Sequence, residues 1–175
     1  ITQIIAGSEY RAGYNAAMAA ALKQVVDVPV MVVGRSGDPQ FAEQLVREEK
    51  ADMVAIGRAL FTDPELPKKA QAGRLSEIRP CNSCEDCVDT IGKGSGSFCA
   101  LNPQSGRENV LQFTTPKSKQ HILVIGGGPA GMEAARAAAE QGHKVTLCEK
   151  SSQLGGRLSL AANMHREQRA FLNYL

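Results

Sequence analysis

Apolar and polar positions follow one another in blocks along the first part of the chain, and these blocks predict two β/α units. Residues 9–26 are rich in helix-forming residues with apolar positions at helical spacing, which predicts a helix ending near Asp27. The continuous apolar run VPVMVVGR follows, and DMVAIGR repeats it further along. Such β-branched runs are typical of strands that are covered on both faces in a parallel sheet.

Each of these strands is followed by Gly-Arg and then by Asp-Pro at the expected start of a helix, in GDPQFAEQLVREEKA and TDPELPKKAQAGRL. Asp38 can cap free backbone N–H groups, and Pro39 suits the first helical position. Two successive β/α units predict parallel strands joined by right-handed crossovers. This pattern fits both a (β/α)8 barrel and an open doubly wound sheet.

A second α/β region is predicted after residues 102–120, which lose periodicity in the manner of a surface linker. The segment HILVIGGGPAGMEAARAAAEQGHKVTLCEK predicts a strand, a glycine-rich turn, an alanine-rich helix and a second strand that ends at Glu149. This order corresponds to the first half of a dinucleotide-binding fold.

The glycine-rich turn carries a dinucleotide-binding fingerprint. Gly126 permits a tight turn, Gly128 lets a pyrophosphate approach the backbone, and Gly131 allows close packing of the helix on the strand. Glu149 lies where a carboxylate can accept hydrogen bonds from ribose hydroxyls. The pair Gly155-Gly156 in QLGGRL offers a second close approach of the backbone, and a simple turn is the alternative for this pair.

Four of the five cysteines are concentrated in CNSCEDCVDTIGKGSGSFC and predict a metal centre. Three cysteines two residues apart with a distant fourth are typical of a four-iron four-sulfur cluster, and a zinc site and a disulfide cluster are the alternatives. The candidate ligands are Cys81, Cys84, Cys87 and Cys99. The fifth cysteine, Cys148, lies in a predicted strand and is expected to be a small buried hydrophobic residue.

Glycines at the ends of successive strands predict a phosphate site in the first region. The following helix N-terminus supplies N–H donors, and a guanidinium can hold a phosphate in a bidentate manner. The candidates are Gly34, Gly57 and Arg58, and a turn followed by a solvated charge is the alternative for each Gly-Arg pair.

Composition narrows the classes of partner and the cellular location. A net charge of +2 without a run of like charges gives no reason to propose nucleic acid or anionic lipid as a partner. The sequence shows neither a membrane-spanning run nor an export signal, and the clustered, odd-numbered cysteines argue against a secreted disulfide framework. We therefore expect a cytoplasmic protein of α/β class, and both ends of the sequence look cut.

The order of these motifs resembles the multi-cofactor branch of the old yellow enzyme family, which includes 2,4-dienoyl-CoA reductase and trimethylamine dehydrogenase. The resemblance is carried by the paired Gly-Arg strand ends, RPCNSCEDC, CALNPQSGRE, ILVIGGGPAGMEAA and LGGRL. It implies that residues 1–80 end an FMN-binding TIM barrel, that 81–116 hold the cluster and a linker, and that 117–175 begin a Rossmann-like FAD domain.

The resemblance also implies roles for individual residues. Gly34, Gly57 and Arg58 match the positions that hold the FMN phosphate, and Arg35 matches an arginine near the flavin and the cluster. The four clustered cysteines match the ligands of the 4Fe-4S cluster. The positions that match the FAD site are Gly126, Gly128, Gly131 and Glu149, with Gly156 and Arg157 of LGGRL favouring FAD.

The implied activity is electron transfer between NAD(P)H, FAD, the 4Fe-4S cluster and FMN, ending in reduction of an enoyl-type small molecule. The alternative is oxidation of an N-methyl amine, with electrons leaving to an acceptor protein; the two-residue gap between Cys84 and Cys87 is that of the amine dehydrogenases. A non-catalytic zinc-binding module is the alternative from another class. No catalytic proton donor is identified in these residues.

Overall fold

The structure is a computed structural model that describes residues 5–112, 114 and 116–175. It divides into two compact units, Ile1–Gly106 and Arg107–Leu175. The finer division at residues 80 and 116 stays a prediction. Residues 1–4 of the predicted barrel segment, and Phe113 and Thr115 of the predicted linker, lie outside the described residues.

The first unit alternates short helices with two short strands. In chain order its elements are α1 (Ala16–Lys23), β1 (Met31–Val32), α2 (Pro39–Arg47), β2 (Met53–Val54), α3 (Arg58–Thr62), α4 (Leu66–Gln71), a 3-10 turn (Leu75–Glu77) and α5 (Asp86–Gly92). The two strands pair in parallel, with Met31 beside Met53 and Val32 beside Val54. The predicted parallel β/α arrangement is therefore present.

A small apolar core lies on one side of this pair of strands. It is formed by buried residues of α1, of α2 and of the strands with their flanks: Ala19, Val30, Val32, Leu45 and Ala51. Burial alternates along the first strand, because Val32 is 1% exposed whereas Met31 and Val33 are 55% and 54% exposed. The expectation of strands covered on both faces is wrong for this unit, since only the core side is packed.

The predicted helix over 9–26 is shorter than expected. Residues 8–14 form turns, and α1 begins only at Ala16. The cause is Gly13, which has a φ of +64° and donates its N–H to the carbonyl of Gly34 at 2.8 Å. This bond ties the start of the segment to the end of β1 instead of extending the helix.

The two Asp-Pro pairs differ in their role. Asp38 caps α2 as predicted, because its side chain accepts a hydrogen bond from the Phe41 N–H at 2.9 Å and Pro39 is the first helical residue. The second pair lies slightly before its helix, because Asp63 Oδ1 accepts the Glu65 N–H at 3.0 Å and the Asp63 carbonyl accepts the N–H of the first residue of α4. Asp63 is also buried and binds several neighbours described below.

The second unit follows the predicted order. Its elements are β3 (His121–Ile125), α6 (Pro129–Glu140), β4 (Lys144–Cys148), α7 (Arg157–Met164) and α8 (Arg166–Tyr174). The strands β3 and β4 pair in parallel over five residues each, from His121 beside Lys144 to Ile125 beside Cys148. An α/β fold is therefore confirmed.

One face of this second sheet is exposed. Burial alternates along both strands, and Leu123 and Ile125 are 60% and 83% exposed. Cys148 points to the same side and is exposed, so the expectation that it is a buried hydrophobic residue is wrong in this chain. Within the described residues, no helix is long and apolar enough to cross a membrane.

Candidate functional site: a glycine-rich turn and a cysteine segment

The glycine-rich turn joins β3 to α6 and needs glycine at two positions. Gly126 has a φ of +104°, a backbone conformation that residues with a side chain rarely adopt. Its N–H donates to the carbonyl of Cys148 at 2.7 Å. A Cβ placed on Gly131 would lie 1.9 Å from the carbonyl oxygen of Gly126. The turn and the close packing of the helix therefore depend on these two glycines.

Two helix N-termini meet beside this turn. Gly128 precedes α6 and Gly156 precedes α7, and neither helix start has a side-chain cap. A Cβ on Gly156 would lie 3.3 Å from Gly128 Cα, and Gly155 donates its N–H to the carbonyl of Gly127 at 2.7 Å. Both N-termini thus offer uncapped N–H groups and positive dipole ends at one point, as an anionic phosphate group requires.

Glu149 lies at the edge of the same turn, directly after β4. Its Oε2 accepts the Gly127 N–H at 2.7 Å, and its Oε1 accepts the N–H and the hydroxyl of Ser151 at 2.9 and 2.8 Å. Hydrogen bonds from the backbone of Ser151 and of Gly127 lower the pKa of Glu149 to about 2. The carboxylate is thus charged at neutral pH and fixed against the glycine-rich turn. Arg157, the first residue of α7, is exposed.

The predicted phosphate residues of the first unit lie at the ends of β1 and β2. Gly34 has a φ of +140°, and Arg35 after it also has a positive φ, of 51°. Gly57 precedes α3, and a Cβ on it would meet nothing within 4 Å. The space beside Gly57 is therefore open, as a site for a bound group requires.

Both arginines of these strand ends reach the cysteine segment. Arg35 donates from Nε to the Ser83 hydroxyl at 3.1 Å, and Arg58 lies 3.8 Å from the Glu85 carboxylate. Arg58 also donates from Nη2 to the carbonyl of Ala6 at 2.5 Å. Its Nη1 is buried and makes no hydrogen bond within the described part of the chain. Nη1 is the nitrogen that lies 3.8 Å from the Glu85 carboxylate, so it has an ion-pair partner but no hydrogen-bond acceptor among these residues, which an anionic group bound beside it would supply.

The cysteine segment places three of its thiols around the start of α5. Cys81 and Cys84 lie in the preceding loop, and Cys87 is buried in the first turn of the helix. Ser83 and Glu85 both have positive φ values, of 56° and 64°. Strained backbone at residues other than glycine is concentrated at functional sites, because the surrounding structure must hold it in place.

All four clustered cysteines are free, and their thiols influence one another. Burial raises the pKa of the Cys87 thiol, neighbouring Cys81 and Cys99 raise it further, and the charge of Arg58 opposes them. The pKa of the Cys84 thiol is raised in the same way, mainly by partial desolvation and in part by Cys81 and Cys99. Four thiols that repel each other as thiolates form a donor set suited to a cationic centre.

The arrangement of the four cysteines differs from that of a site for a single metal ion. Among the described residues, no group of three or more His, Cys, Asp or Glu side chains is arranged to hold a single metal ion. In a four-iron cluster each cysteine bonds a different iron, so the sulfurs need not converge on one point. Cys81 and Cys99 both raise the pKa of the Cys84 and Cys87 thiols, which fits the donor set of such a cluster.

The sequence reasoning missed the residues that hold both ends of this segment. Asp63 Oδ2 accepts the Lys69 ammonium at 2.7 Å and the Arg79 N–H at 2.9 Å, just before Cys81. Arg79 in turn donates to the carbonyl of Leu101 at 2.6 Å, just after Cys99. A buried carboxylate and a buried arginine thereby connect the two ends. The Asp-Pro pair was the only available signal, and it indicated a helix start.

Thr62 was missed as well, although it touches a candidate ligand. Its side chain is among the largest that are fully buried, and its Oγ1 lies 3.6 Å from Cys99 Sγ. Asn102, which is also buried, donates to the carbonyl of Phe61 beside it at 2.9 Å. The end of α3 is therefore in contact with the fourth cysteine and the residues that follow it.

Comparison with known proteins agrees with this description. Residues 4–77 match the family described as NADH:flavin oxidoreductase / NADH oxidase, and residues 121–170 match the FAD dependent oxidoreductase family. The class defined by the fold and these matches is that of the flavin-dependent oxidoreductases. The resemblance to the NADH:flavin oxidoreductase family that was drawn from the motifs is confirmed by these matches, the first of which covers 74 of the 175 residues.

Individual relatives include an NADH oxidase, a reductase and an amine oxidase. The chain is 44% identical over 158 residues to the NADH oxidase of Thermoanaerobacter brockii, covering 89% of this chain and 24% of the relative. A solved 2-naphthoyl-CoA reductase in complex with 2-naphthoyl-CoA superposes with a TM-score of 0.88 at 31% identity, covering 96% of this chain and 26% of that one. The 6-hydroxypseudooxynicotine amine oxidase of Pseudomonas geniculata N1 superposes with a TM-score of 0.85 at 32% identity, covering 97% and 26%. The chain thus spans about a quarter of the length of these relatives.

Proposed function

We propose that this chain is the cluster-binding part of an iron-sulfur flavoprotein oxidoreductase that reduces an enoyl-type small molecule with electrons from NAD(P)H. In this proposal residues 1–80 are the end of an FMN-binding barrel, 81–116 the cluster segment with its linker, and 117–175 the beginning of an FAD domain. When bound, the flavins supply hydride transfer and the cluster supplies single-electron transfer.

The observation that carries the proposal is the joint position of the four free cysteines and the two arginines of the strand ends. Arg35 reaches Ser83 and Arg58 reaches Glu85, so residues proposed to contact FMN also contact the loop that carries Cys81 and Cys84. This contact keeps the proposed flavin-phosphate residues and the proposed cluster ligands side by side within one unit.

The residues of the chain have binding and orienting roles in this proposal. Arg58, whose Nη1 makes no hydrogen bond among the described residues, holds the FMN phosphate, and the N–H groups near Gly57 add to the attraction. The N-termini of α6 and α7 bind the FAD pyrophosphate, and the Glu149 carboxylate orients the adenosine ribose. Cys81, Cys84, Cys87 and Cys99 hold the cluster as thiolates.

Metal analysis tests the cluster. Protein purified anaerobically is expected to contain iron and acid-labile sulfide in equal amounts, near four of each per chain for a 4Fe-4S centre. Cys87→Ser is expected to lose most of this iron, whereas Cys148→Ser retains it because Cys148 lies in β4 of the second unit. Stoichiometric zinc without iron would replace this proposal with the zinc-binding module.

Oxidation of an N-methyl amine is the second candidate. It is favoured by the two-residue gap between Cys84 and Cys87 and by the similarity to an amine oxidase. In that case electrons leave to an acceptor protein. Anaerobic mixing of the full-length protein with NADH or NADPH separates the two: bleaching of the flavin absorbance supports the reductase, and a flavin that bleaches with an N-methyl amine alone supports the dehydrogenase.

A further inference from the structure

Three of the four candidate ligand sulfurs lie near a hydrogen-bond donor. The Ser83 N–H points to Cys81 Sγ with an N–S distance of 3.4 Å. The Asp86 N–H likewise forms a hydrogen bond with the Cys84 sulfur, which lies two residues earlier in the chain. Cys99 differs, because the group beside its sulfur is a side-chain hydroxyl, that of Thr62. This donor can be removed by a substitution without changing the backbone.

The Thr62 hydroxyl has two partners but only one proton. Its Oγ1 lies 3.2 Å from the carbonyl of Arg58, four residues earlier, and 3.6 Å from Cys99 Sγ. While Cys99 is a thiol, both contacts are satisfied, because the thiol donates to Oγ1 and the hydroxyl donates to the carbonyl. A thiolate that bonds iron has no proton to give. The contact with sulfur then persists only if the hydroxyl donates to it.

The surroundings favour that second arrangement. Thr62 is 2% exposed, so water does not compete for its proton. In a site of low polarity, a hydrogen bond to a charged acceptor is stronger than one to a neutral carbonyl. A buried valine would fill the same space, so the hydroxyl group is the feature that distinguishes threonine at this position.

We propose that Thr62 is a positioning residue for the cluster, whose hydroxyl donates a hydrogen bond to the Cys99 thiolate and raises the reduction potential of the centre. This inference rests on the proposed 4Fe-4S cluster. Reduction adds negative charge to the cluster and its sulfurs, and a donor to sulfur stabilises the more negative state. Loss of the donor therefore lowers the potential.

The test compares the wild-type protein with Thr62→Val and Thr62→Ser, each purified anaerobically. Iron and sulfide contents are measured first, and the midpoint potential of the cluster is then followed by electron paramagnetic resonance during a redox titration. Thr62→Val is expected to keep its iron and sulfide and to shift the midpoint to lower potential. Thr62→Ser keeps the hydroxyl and is expected to stay near the wild-type value. A purely structural role would predict no such rescue of the potential.

The outcomes separate this inference from the proposed function. A wild-type protein without iron and sulfide would overturn the cluster and this inference with it. A wild-type protein with a cluster, whose midpoint is unchanged in Thr62→Val, would overturn only the role of Thr62. If Thr62→Val does not take up iron, Thr62→Ala and Thr62→Ser are compared by the same titration, and equal midpoints in these two would likewise overturn it.

Discussion

The glycine-rich turn is built from the backbone of one short stretch and its neighbouring strand, whereas the cysteine segment is held by side chains from distant parts of the sequence. In the turn, the decisive distances involve Gly126, Gly131 and Glu149. In the cysteine segment they join Arg35 to Ser83 and Thr62 to Cys99, which are 48 and 37 residues apart. We therefore expect the glycine-rich turn to be disrupted by a single Cβ placed against its backbone. The cysteine segment should instead be disrupted by the loss of side chains that are distant from it in the sequence.

The largest effect is expected at Gly131. Gly131→Ala would place a Cβ at 1.9 Å from the Gly126 carbonyl oxygen, so α6 must move away from β3. Such overpacking against backbone costs about 3 kcal/mol or more of the free energy of unfolding. Thermal unfolding in the absence of any dinucleotide measures this loss.

The matched control is Gly128→Ala. A Cβ on Gly128 meets nothing within 4 Å and its φ is −75°, so stability without ligand should change little. Because the proposed pyrophosphate occupies that space, the affinity for FAD should nevertheless fall. If Gly131→Ala and Gly128→Ala have the same melting temperature, the backbone account of the turn is wrong.

The next largest effect is expected at Asp63, where the cysteine segment depends on a remote side chain. Asp63→Asn removes the charge that faces Lys69. Its single amide oxygen cannot replace both carboxylate oxygens, which accept the N–H groups of Arg79 and Glu65. Removing one partner of a largely buried ion pair costs about 3 kcal/mol. We expect lower stability and a lower iron content, measured by urea unfolding and by metal analysis.

Glu65→Gln is the control for this substitution. It removes an ion pair with Lys68 of comparable chemistry, but both side chains are exposed, so the cost should be about 0.5 kcal/mol or less. Equal losses of stability in the two variants would show that the burial of Asp63 has no special role.

A smaller effect is expected at Arg58, which links the two proposed functions of the first unit. Arg58→Lys keeps the positive charge near Cys87 but loses the guanidinium, whose Nη2 bonds the Ala6 carbonyl and whose Nη1 is proposed to bond the phosphate. Loss of one charge-assisted hydrogen bond weakens FMN binding about tenfold. Fluorescence titration with FMN measures this, and an iron content equal to that of the wild type is expected. An unchanged FMN affinity would exclude Arg58 from the phosphate site.

The difference between the two regions also explains what the sequence could predict. The capping role of Asp38, the parallel pairing of β3 with β4 and the glycine-rich turn follow from residues close together in the chain, and the structure has them. The contacts of Asp63 with Arg79 and of Thr62 with Cys99 could not be predicted, because the folding of the chain brings together residues that are 16 and 37 positions apart. Cys148 was misjudged for a related reason, since periodicity shows that a strand is apolar but not whether both of its faces are packed.

The smallest effect is expected at Glu149 and is seen only as a dependence on pH. The folded protein holds the pKa of this carboxyl at about 2, below its ordinary value of 4.5. Its hydrogen bonds to Gly127 and Ser151 therefore contribute stability above about pH 5, and this contribution is lost as the pH falls toward 2.

Glu149→Gln tests this dependence, because its side chain has no charge to lose between about pH 5 and 2. Over that interval the urea midpoint of Glu149→Gln should decrease less steeply than that of the wild type. Ser151→Ala removes one donor of the three and should give an intermediate slope. Parallel curves for the wild type and Glu149→Gln between pH 5 and 2 would mean that the carboxylate is not held by the turn, and the preorganised ribose contact would then have no basis.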